Sequence, residues 1–277
     1  MPRRVGQDGG LAVDKACSSG GQHGHAVWGA IMQIIGLVIH LARATARRAV
    51  ADQLVADCAT DFGVPARILD AADGRALEAL GDLASYRLKT PLKPRFPFTL
   101  GAGEKGCFLS HRAAWTALLV SDAEAALILE DDVALGPLFA EALALARRHL
   151  PDMGYIQFQT RAVSGAAPVD HQGEAVLYRP QITPLRTSGQ LVNRATATRL
   201  LDLTRQFDRP VDTFLQMHWH TGLHLGAIAP SGLSDVSATS GGSTLSTRKP
   251  LLDKLRREVQ RLRYRRAVAR MSQAGGL

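Results

Sequence analysis

The sequence predicts an α/β fold built around one largely buried sheet. The chain has 277 residues, of which 46% are hydrophobic and 21% charged, as in ordinary globular enzymes. Short apolar runs alternate with longer amphipathic stretches, the order expected when strands alternate with helices in one domain. One run, Ala125 to Leu129, is apolar at every position and ends at three consecutive carboxylates, as expected of a strand buried on both faces.

The predicted elements follow in chain order. A strand over residues 34–39 precedes a helix from about residue 44 to residue 58, and a second short strand covers residues 65–70. A helix or loop covers residues 77–86, a proline-rich irregular connector residues 90–97, and a glycine-rich segment residues 101–106. The remaining predictions are helices over residues 107–121, 137–150 and 195–206, and strands over residues 125–129, 155–158, 175–178 and 189–192.

The amino-terminal region allows two interpretations. The apolar stretch over residues 26–41 is about as long as the shortest membrane spans and follows Arg3 and Arg4, as a signal or anchor would. However, Gln33 and His40 interrupt the stretch, and a glycine-rich polar segment separates it from the arginines. We therefore expect residues 1–33 to be a disordered extension, with the first strand starting directly after it.

The positive charge is concentrated at the carboxyl end. The net charge is +8, and residues 248–277 contain ten Lys or Arg against two acidic residues, so the rest of the chain is neutral overall. Leu252, Leu255, Val259 and Leu262 recur there at helical spacing, which predicts a basic amphipathic helix. Such a helix suits an anionic membrane surface, and a partner protein remains open. No aromatic stacking platform accompanies the charges, which argues against nucleic acid.

The cysteines exclude two classes of site. Cys17, Cys58 and Cys107 are widely spaced and form no Cys-x-x-Cys pair. A disulfide framework or a cysteine zinc site is therefore not expected. The sequence predicts a protein of the reducing cytoplasm. Its basic carboxyl-terminal helix extends this prediction to peripheral attachment at the inner face of the membrane.

The three carboxylates Glu130, Asp131 and Asp132 are the strongest functional signal. Adjacent like charges repel one another unless a cation or water shares them. The carboxyl end of a strand is also where an open α/β sheet usually binds its ligand, although a solvated acidic turn is the alternative. Strand alternation places Glu130 and Asp132 on the same side and turns Asp131 away from them.

The glycine-rich segment keeps a second function open. Gly101 to Gly106 fits the pattern G-x-G-x-x-G, which would favour a dinucleotide-dependent oxidoreductase. Pro97 disfavours the strand that must precede such a motif, and Glu104 would place a carboxylate beside the pyrophosphate. Cys107 occupies the position where a phosphate-binding P-loop needs lysine.

Two segments resemble glycosyltransferase family 25, which contains lipooligosaccharide galactosyltransferases and collagen galactosyltransferases. They are residues 103–111, with the sequence GEKGCFLSH, and residues 126–133, which end in LEDDV. Residues 38–48, 70–75 and 210–212 resemble further elements of the family. The resemblance covers about residues 34–246 and departs from the family at His40, where asparagine is usual.

The resemblance implies a GT-A-like fold, with a single Rossmann-type mixed sheet flanked by helices, over residues 34–247. It also implies an inverting, metal-dependent transfer of a sugar, in the first place galactose, from a UDP-sugar to a glycan or lipid-linked glycan acceptor. Synthesis of lipopolysaccharide or another cell-surface glycan is the implied process. Carboxylate ligands favour Mn²⁺ or Mg²⁺ as the metal. An oxidoreductase and a noncatalytic surface-docking module remain the alternatives.

The resemblance also implies roles for individual residues. Asp212 is the candidate general base for the acceptor hydroxyl, and capping of the helix that follows it is an equally open interpretation. Glu130 and Asp132 are the predicted metal ligands. The predicted donor-binding residues are Arg43, Arg47, Asp73, Gly74, Ser110, His111, Glu130 and Asp131.

Three histidines form a further candidate group. His218, His220 and His224 have spacings that permit a metal site, because the last two are one helical turn apart. A single histidine that contacts the donor or the metal is a second interpretation, and ordinary packing beside Trp219 and Leu223 is a third.

Overall fold

The computed structural model describes residues 32–237 and 251–275, of which residues 251–254 are described by their backbone alone. Over these ranges the chain forms an eight-stranded mixed sheet with helices on both faces, so the predicted α/β class is confirmed. The predicted amino-terminal extension lies outside the described residues except at its last two positions. No described helix is both long enough and apolar enough to cross a membrane.

The strands and helices largely match the predicted elements. The strands are β1 (Ile34–His40), β2 (Ala66–Asp70), β3 (Ala125–Glu130), β4 (Val133–Leu135), β5 (Tyr155–Phe158), β6 (Pro168–Gln172), β7 (Ala175–Tyr178), β8 (Gly189–Asn193), β9 (Gly226–Ile228) and β10 (Leu233–Asp235). The helices are α1 (Arg48–Thr60), α2 (Gly74–Ala79), α3 (Ala102–Leu119), α4 (Phe139–Met153), α5 (Arg194–Leu203), α6 (Val211–Leu215), α7 (His218–Thr221) and α8 (Leu251–Ala274). The sequence did not indicate the short or polar strands β4, β6, β9 and β10.

The strand order places the ends of two parallel strands and one antiparallel strand side by side. The sheet runs β2-β1-β3-β8-β5-β9-β7-β6, with β1 parallel to both β2 and β3 and with β8 antiparallel to β3. Ile39 pairs with Glu130, and Leu129 pairs with Gly189. The carboxyl ends of β1 and β3 therefore meet the amino end of β8, and β4 pairs separately with β10.

The two faces of the sheet pack against different helices. Alternate residues such as Val38 and Leu129 join α1 and α4 in one apolar cluster. The intervening residues, such as Leu37 and Ile128, join α3 and α5 in another, which contains the fully buried Trp115. Because side chains alternate along a strand, successive residues at the end of β3 also point to opposite faces, one toward α1 and α4 and the other toward α3 and α5.

The glycine-rich segment is helical, which corrects two expectations. Helix α3 begins at residue 102 rather than 107, and the Glu104 side chain accepts a hydrogen bond from the Gly101 N–H (2.8 Å) at its first turn. Residues 90–101 contain no strand, so the strand–loop–helix setting of a dinucleotide motif is absent from this part of the described chain. The helix begins five residues earlier than predicted because a carboxylate at the third helical position stabilises a helix start.

Glycines 74 and 106 instead allow close contact between α2 and α3. A Cβ on Gly74 would lie 1.8 Å from the Ala102 carbonyl oxygen, and one on Gly106 would lie 2.5 Å from the Ala72 carbonyl oxygen. Backbone atoms cannot rotate away as a side chain can. Both positions therefore require glycine for packing, which brings the loop before α2 against the buried side of α3.

We predict that Gly106→Ala lowers the free energy of unfolding by about 1–3 kcal/mol because its methyl group clashes with backbone. Gly101→Ala is the matched control from the same motif, since a Cβ there would lie 3.7 Å from its neighbour, the Glu104 Oε2 atom. Its cost should stay below about 1 kcal/mol. Urea unfolding of both variants measures the difference, and equal costs at the two positions would contradict the packing role of Gly106.

Candidate active site

A cavity of about 570 Å³ opens at the carboxyl ends of β1 and β3. Its walls come from the loops after these strands, the first two turns and the middle of α3, residues 186–188, α6 and the end of β10. Most of the predicted site residues line it: Arg43, Arg47, Gly74, Ser110, His111, Glu130, Asp131, Asp132 and Asp212. The fold thus brings together side chains that are up to 169 positions apart in the sequence, between Arg43 and Asp212.

Glu130 points to the α3 face of the sheet. Its Oε1 accepts hydrogen bonds from His111 Nε2 (3.1 Å) and Thr187 Oγ1 (3.0 Å). Burial is the largest influence on the pKa of Glu130 and would raise it, but the contact with His111, the hydrogen bond from Thr187 and the charge of Arg47 together hold the pKa below its ordinary value. Glu130 is therefore a carboxylate at neutral pH.

Asp131 points to the opposite face, as strand alternation requires. Its Oδ2 accepts a hydrogen bond from Nδ1 of the buried His40 (2.7 Å), and its Oδ1 accepts one from Arg47 Nη1 (3.1 Å). Histidine at position 40, the departure from the family pattern, thus supplies a donor to the middle carboxylate. These bonds anchor the end of β3 to the end of β1 and position Arg47 at the cavity.

Asp132 differs from its two neighbours because it lacks such partners. Its Oδ1 atom is buried and has no hydrogen-bond partner among the described residues. Burial, followed by the negative charge of Glu130, raises the pKa of Asp132 from 3.8 to about 6. A buried carboxylate oxygen without a donor is costly unless a ligand completes the site.

Three predicted donor-binding residues have structural roles that also shape the cavity. Ser110 Oγ accepts a hydrogen bond from the Ala72 N–H (2.9 Å) and donates one to the Gly106 carbonyl (2.8 Å). Asp73 does not line the cavity, but its Oδ2 accepts a hydrogen bond from Arg43 Nε (2.7 Å) and so orients a residue that does. Gly74 contributes backbone alone.

Asp212 lies in the first turn of α6 and lines the cavity. Its Oδ1 accepts a hydrogen bond from the Thr213 N–H (2.6 Å), and its Oδ2 accepts one from the Arg186 N–H (3.3 Å). Arg186 has a φ of 86°, a left-handed conformation that is strained for a residue with a side chain. Its guanidinium also donates to Asp235 Oδ2 (2.8 Å), which lines the cavity from β10.

The sequence profile of glycosyltransferase family 25 (LPS biosynthesis protein) matches residues 33–215. The chain belongs to this family. The matched segment starts just before β1 and ends with α6, so it contains all the predicted site residues.

Individual members of family 25 resemble shorter parts of the chain. A glycosyltransferase 25 family member of Aedes aegypti is 33% identical over 86 residues, which are 30% of this chain and 14% of that protein. A probable inactive glycosyltransferase 25 family member 3 of Rattus norvegicus is 34% identical over 108 residues, or 38% and 18% of the two chains. Procollagen galactosyltransferase 2 of Mus musculus is 34% identical over 73 residues, or 25% and 12%. The chain thus matches less than a fifth of the length of these relatives.

Solved structures show distant likenesses. A glycosyltransferase involved in glycosylation of the major capsid of PBCV-1 has a TM-score of 0.33 and 14% identity, with 61% of this chain and 64% of that chain covered. A197 from STIV has a TM-score of 0.37 and 9% identity, with coverages of 73% and 83%.

Several cavity residues were missed by the sequence predictions. Thr187 and Ser188 precede β8, and the antiparallel direction of β8 brings them to the end of β3, where the Ser188 carbonyl accepts from the Glu130 N–H (2.9 Å). Arg186 belongs to the same segment. Asp235 lies beyond the family-matched region and gave no signal, because β10 is a three-residue strand.

Other predicted candidates do not face the cavity. His218, His220 and His224 are not among its lining residues, and His218 Nε2 instead lies 2.8 Å from Ser272 Oγ of α8. Desolvation lowers the pKa of both His218 and His220, so both are neutral at neutral pH. His218 is buried, whereas His220 is exposed. Arg48 is exposed beside Asp52 on the surface of α1.

Ligand atoms of Cys107, His111 and Glu130 lie within 4.8 Å of one another and form a possible mixed metal group. Burial, then the charges of Glu130 and Asp212, raises the pKa of the Cys107 thiol well above its ordinary value. Since a thiolate is the form that binds soft metals, this environment disfavours such a site.

We predict that Asp132→Asn stabilises the protein at about pH 8 in the absence of divalent cations. Because the folded pKa lies above the unfolded value of 3.8, ionisation of Asp132 destabilises the fold increasingly between about pH 4 and pH 6. The full cost above that range is about 3 kcal/mol, which asparagine removes. Urea unfolding of the variant and the wild type at about pH 4 and at about pH 8 measures the change in stability. A variant whose stability relative to the wild type does not increase with pH would contradict this account.

Proposed function

We propose that this family 25 protein transfers a hexose, in the first place galactose, from a UDP-sugar to a hydroxyl group of a glycan with inversion at the anomeric carbon. The observation that supports this proposal most strongly is the cavity in which Asp132 keeps a buried oxygen without a hydrogen-bond partner among the described residues.

The charge of the cavity supports the use of a divalent cation, Mn²⁺ or Mg²⁺. Among the described residues, six carboxylates and three arginines line it, which leaves three excess negative charges when all are ionised. A nucleotide diphosphate is itself strongly anionic and would be repelled by this surface. Asp132 and Glu130 offer the oxygen ligands that hard cations prefer, so the residues present fit such an ion. When bound, it would supply positive charge against the developing charge of the leaving diphosphate.

The two arginines that follow β1, Arg43 and Arg47, suit the phosphate groups of the donor. Arg47 is held by Asp131, and Arg43 is held by Asp73, so both guanidinium groups are oriented before substrate binds. Charge-assisted hydrogen bonds from guanidinium to phosphate are strong and directional. Glu130 and His111 line the same cavity on the α3 side and suit the ribose hydroxyls or the cation.

Asp212 is the proposed general base. A base must remove the proton of the acceptor hydroxyl as the new glycosidic bond forms on the face opposite the leaving group. Asp212 lines the cavity from α6, and its contacts with two backbone N–H groups keep its oxygens in place. Pro210, not Asp212, occupies the N-cap position of α6, and the contact of Asp212 with the Thr213 N–H lies inside the first helical turn. This contact leaves Asp212 at the cavity, where it is available as the base.

Donor turnover tests the proposed reaction. With Mn²⁺ and a panel of UDP-sugars, we expect the wild type to hydrolyse at least one donor slowly and chelation of the metal to abolish this activity. Asp132→Asn should lower the rate by about 100-fold or more, whereas Asp52→Asn, a substitution on the exposed face of α1, should not change it. Absence of turnover by the wild type with every donor, or activity that survives chelation, would contradict the proposal.

Asp212→Asn should separate proton removal from donor binding. We expect transfer to a glycan hydroxyl to fall by about 100-fold or more, while the affinity for UDP in the presence of Mn²⁺ stays unchanged. Isothermal titration with UDP and a transfer assay measure the two quantities. Retention of most of the transfer rate in a folded variant would remove Asp212 from this role.

We also propose that α8 brings the enzyme to a lipid-linked acceptor on an anionic membrane surface. One face of α8 packs on the body, where Arg209 Nη1 donates to Tyr264 OH (3.0 Å) and Val268 is buried. Tyr264 follows Leu255 by nine residues, or two and a half helical turns, so the two side chains point in opposite directions. Leu255, Val259 and Leu262 therefore face away from the body, with 65%, 42% and 49% of their surfaces exposed.

The charges beside this outer stripe complement anionic lipid. Arg256, Arg263, Arg265 and Arg266 are exposed around it. An apolar stripe bordered by arginines can enter the headgroup region while its charges bind lipid phosphates. This surface would orient the cavity-bearing body beside the membrane.

Vesicle binding tests this surface with a matched control. Replacing Leu255, Val259 and Leu262 together by Gln should reduce binding to vesicles with phosphatidylglycerol by about tenfold or more, because the apolar contact is lost. Leu80→Gln, at a leucine that is 79% exposed elsewhere, should leave binding unchanged. Co-sedimentation measures both. Equal binding by the triple variant and the wild type would reject the α8 surface.

A further inference from the structure

A chain of buried hydrogen bonds connects the middle of the sheet to Glu130. Tyr155 OH on β5 lies 2.5 Å from Gln190 Oε1 on β8, and Gln190 Nε2 lies 3.0 Å from His111 Nδ1. His111 Nε2 then lies 3.1 Å from Glu130 Oε1. Tyr155, Gln190 and His111 are fully buried, so their polar atoms depend on one another rather than on water.

The Thr187 carbonyl fixes the direction of this chain. Gln190 Nε2 lies 3.2 Å from the Thr187 carbonyl oxygen as well as near His111 Nδ1. A carbonyl oxygen only accepts hydrogen bonds, so the NH₂ end of the Gln190 amide must face it. A flipped amide would place Oε1 against that carbonyl oxygen. The two hydrogens of the NH₂ group therefore go to Thr187 and His111, while Oε1 accepts from the hydroxyl of Tyr155.

This direction determines the tautomer of His111. Since Nδ1 accepts a hydrogen bond from Gln190, it carries no proton, and the ring proton of the neutral imidazole is on Nε2. That proton is donated to Glu130 Oε1. The opposite tautomer would place the Nε2 lone pair against a carboxylate oxygen and an Nδ1–H against the NH₂ group of Gln190, so both contacts would become repulsive.

We propose that Gln190, supported by Tyr155, is a positioning residue that holds His111 in the Nε2–H form and thereby fixes the carboxylate of Glu130 for donor or cation binding. The role of Glu130 rests on the proposed function, whereas the tautomer of His111 does not. The described side-chain hydrogen bonds to Glu130, from His111 and Thr187, both end on Oε1. Rotation of the carboxylate is therefore restricted, and Oε2 is oriented with it.

Gln157 provides a matched control for substitutions of Gln190. It lies opposite Gln190 in the register of β5 and β8 and is equally buried. Its Oε1 accepts a hydrogen bond from Gln159 Nε2 (2.8 Å), and no hydrogen bond joins it to His111 among the described contacts. Replacement of either glutamine by leucine removes one buried amide, but only the change at Gln190 removes the partner of His111 Nδ1.

Nitrogen NMR of ¹⁵N-histidine-labelled protein at about pH 8 tests the assignment without substrate. The His111 signals, identified by their loss in His111→Gln, should show a protonated Nε2 and an unprotonated Nδ1. Gln157→Leu should retain this pattern, and Gln190→Leu should lose it. Gln190→Glu, which preserves side-chain shape, should draw a proton to Nδ1 because a carboxylate only accepts. A wild-type Nδ1–H form, or an unchanged pattern in a folded Gln190→Glu variant, would overturn the proposal.

Kinetics then test the consequence for the site. Gln190→Leu should weaken Mn²⁺-dependent UDP-sugar hydrolysis by about 10- to 100-fold, whereas Gln157→Leu should have a clearly smaller effect. Equal losses in the two variants would indicate a general packing defect and contradict the positioning role. If the wild type shows the Nε2–H pattern but hydrolyses no UDP-sugar, the proposed function fails and the tautomer assignment stands.

Discussion

The site depends on the separation of three adjacent carboxylates at the end of one buried strand. Such charges cannot share one environment without a large electrostatic cost. The pleat of β3 directs Glu130 to the α3 side and Asp131 to the α1 side, where His111 and His40 respectively provide hydrogen bonds. Asp132, after the strand ends, is left without an equivalent partner among the described residues. The electrostatic cost therefore falls mainly on Asp132, which faces the cavity, and binding of a cation there would reduce this cost.

The local pattern of the sequence was sufficient for the part of the fold that carries these charges. Continuous apolar runs predicted β1 and β3, and the period of two correctly turned Asp131 away from Glu130. The rule that ligands bind at the carboxyl ends of parallel strands located the cavity. The assignments of individual residues to metal, donor and acceptor remain predictions, since geometry alone does not identify a bound group.

The features that the sequence analysis missed have a common physical reason, because each depends on contacts between segments that are far apart in the sequence. Thr187 and Ser188 reach Glu130 because β8 runs antiparallel to β3, and strand direction is not encoded in a five-residue apolar run. Asp235 reaches the cavity at the end of a three-residue strand that pairs with β4. The sequence prediction began the helix only after the glycine-rich segment because its composition suggested a turn, whereas Gly106 of this segment permits close contact between α2 and α3.

The buried polar residues behind the cavity and the charged residues that line it form one system. Tyr155 and Gln190 lie at the centre of the sheet, where a polar side chain is costly unless its hydrogen bonds are complete. Tyr155 contacts Gln190, and Gln190 contacts Nδ1 of His111. These contacts explain how His111 donates a hydrogen bond to Glu130 on the α3 side. The strained backbone at Arg186 performs a comparable task on the α6 side, where its N–H and guanidinium groups contact Asp212 and Asp235.

The most direct measurement of the central claim is the anomalous scattering of Mn²⁺ in crystals of the protein soaked with MnCl₂ and UDP. We expect a peak in the cavity with a carboxylate oxygen of Asp132 at roughly 2 Å, the distance of direct coordination. A crystal in which the diphosphate occupies the cavity while Mn²⁺ is absent, or is bound away from Asp132, would contradict the account.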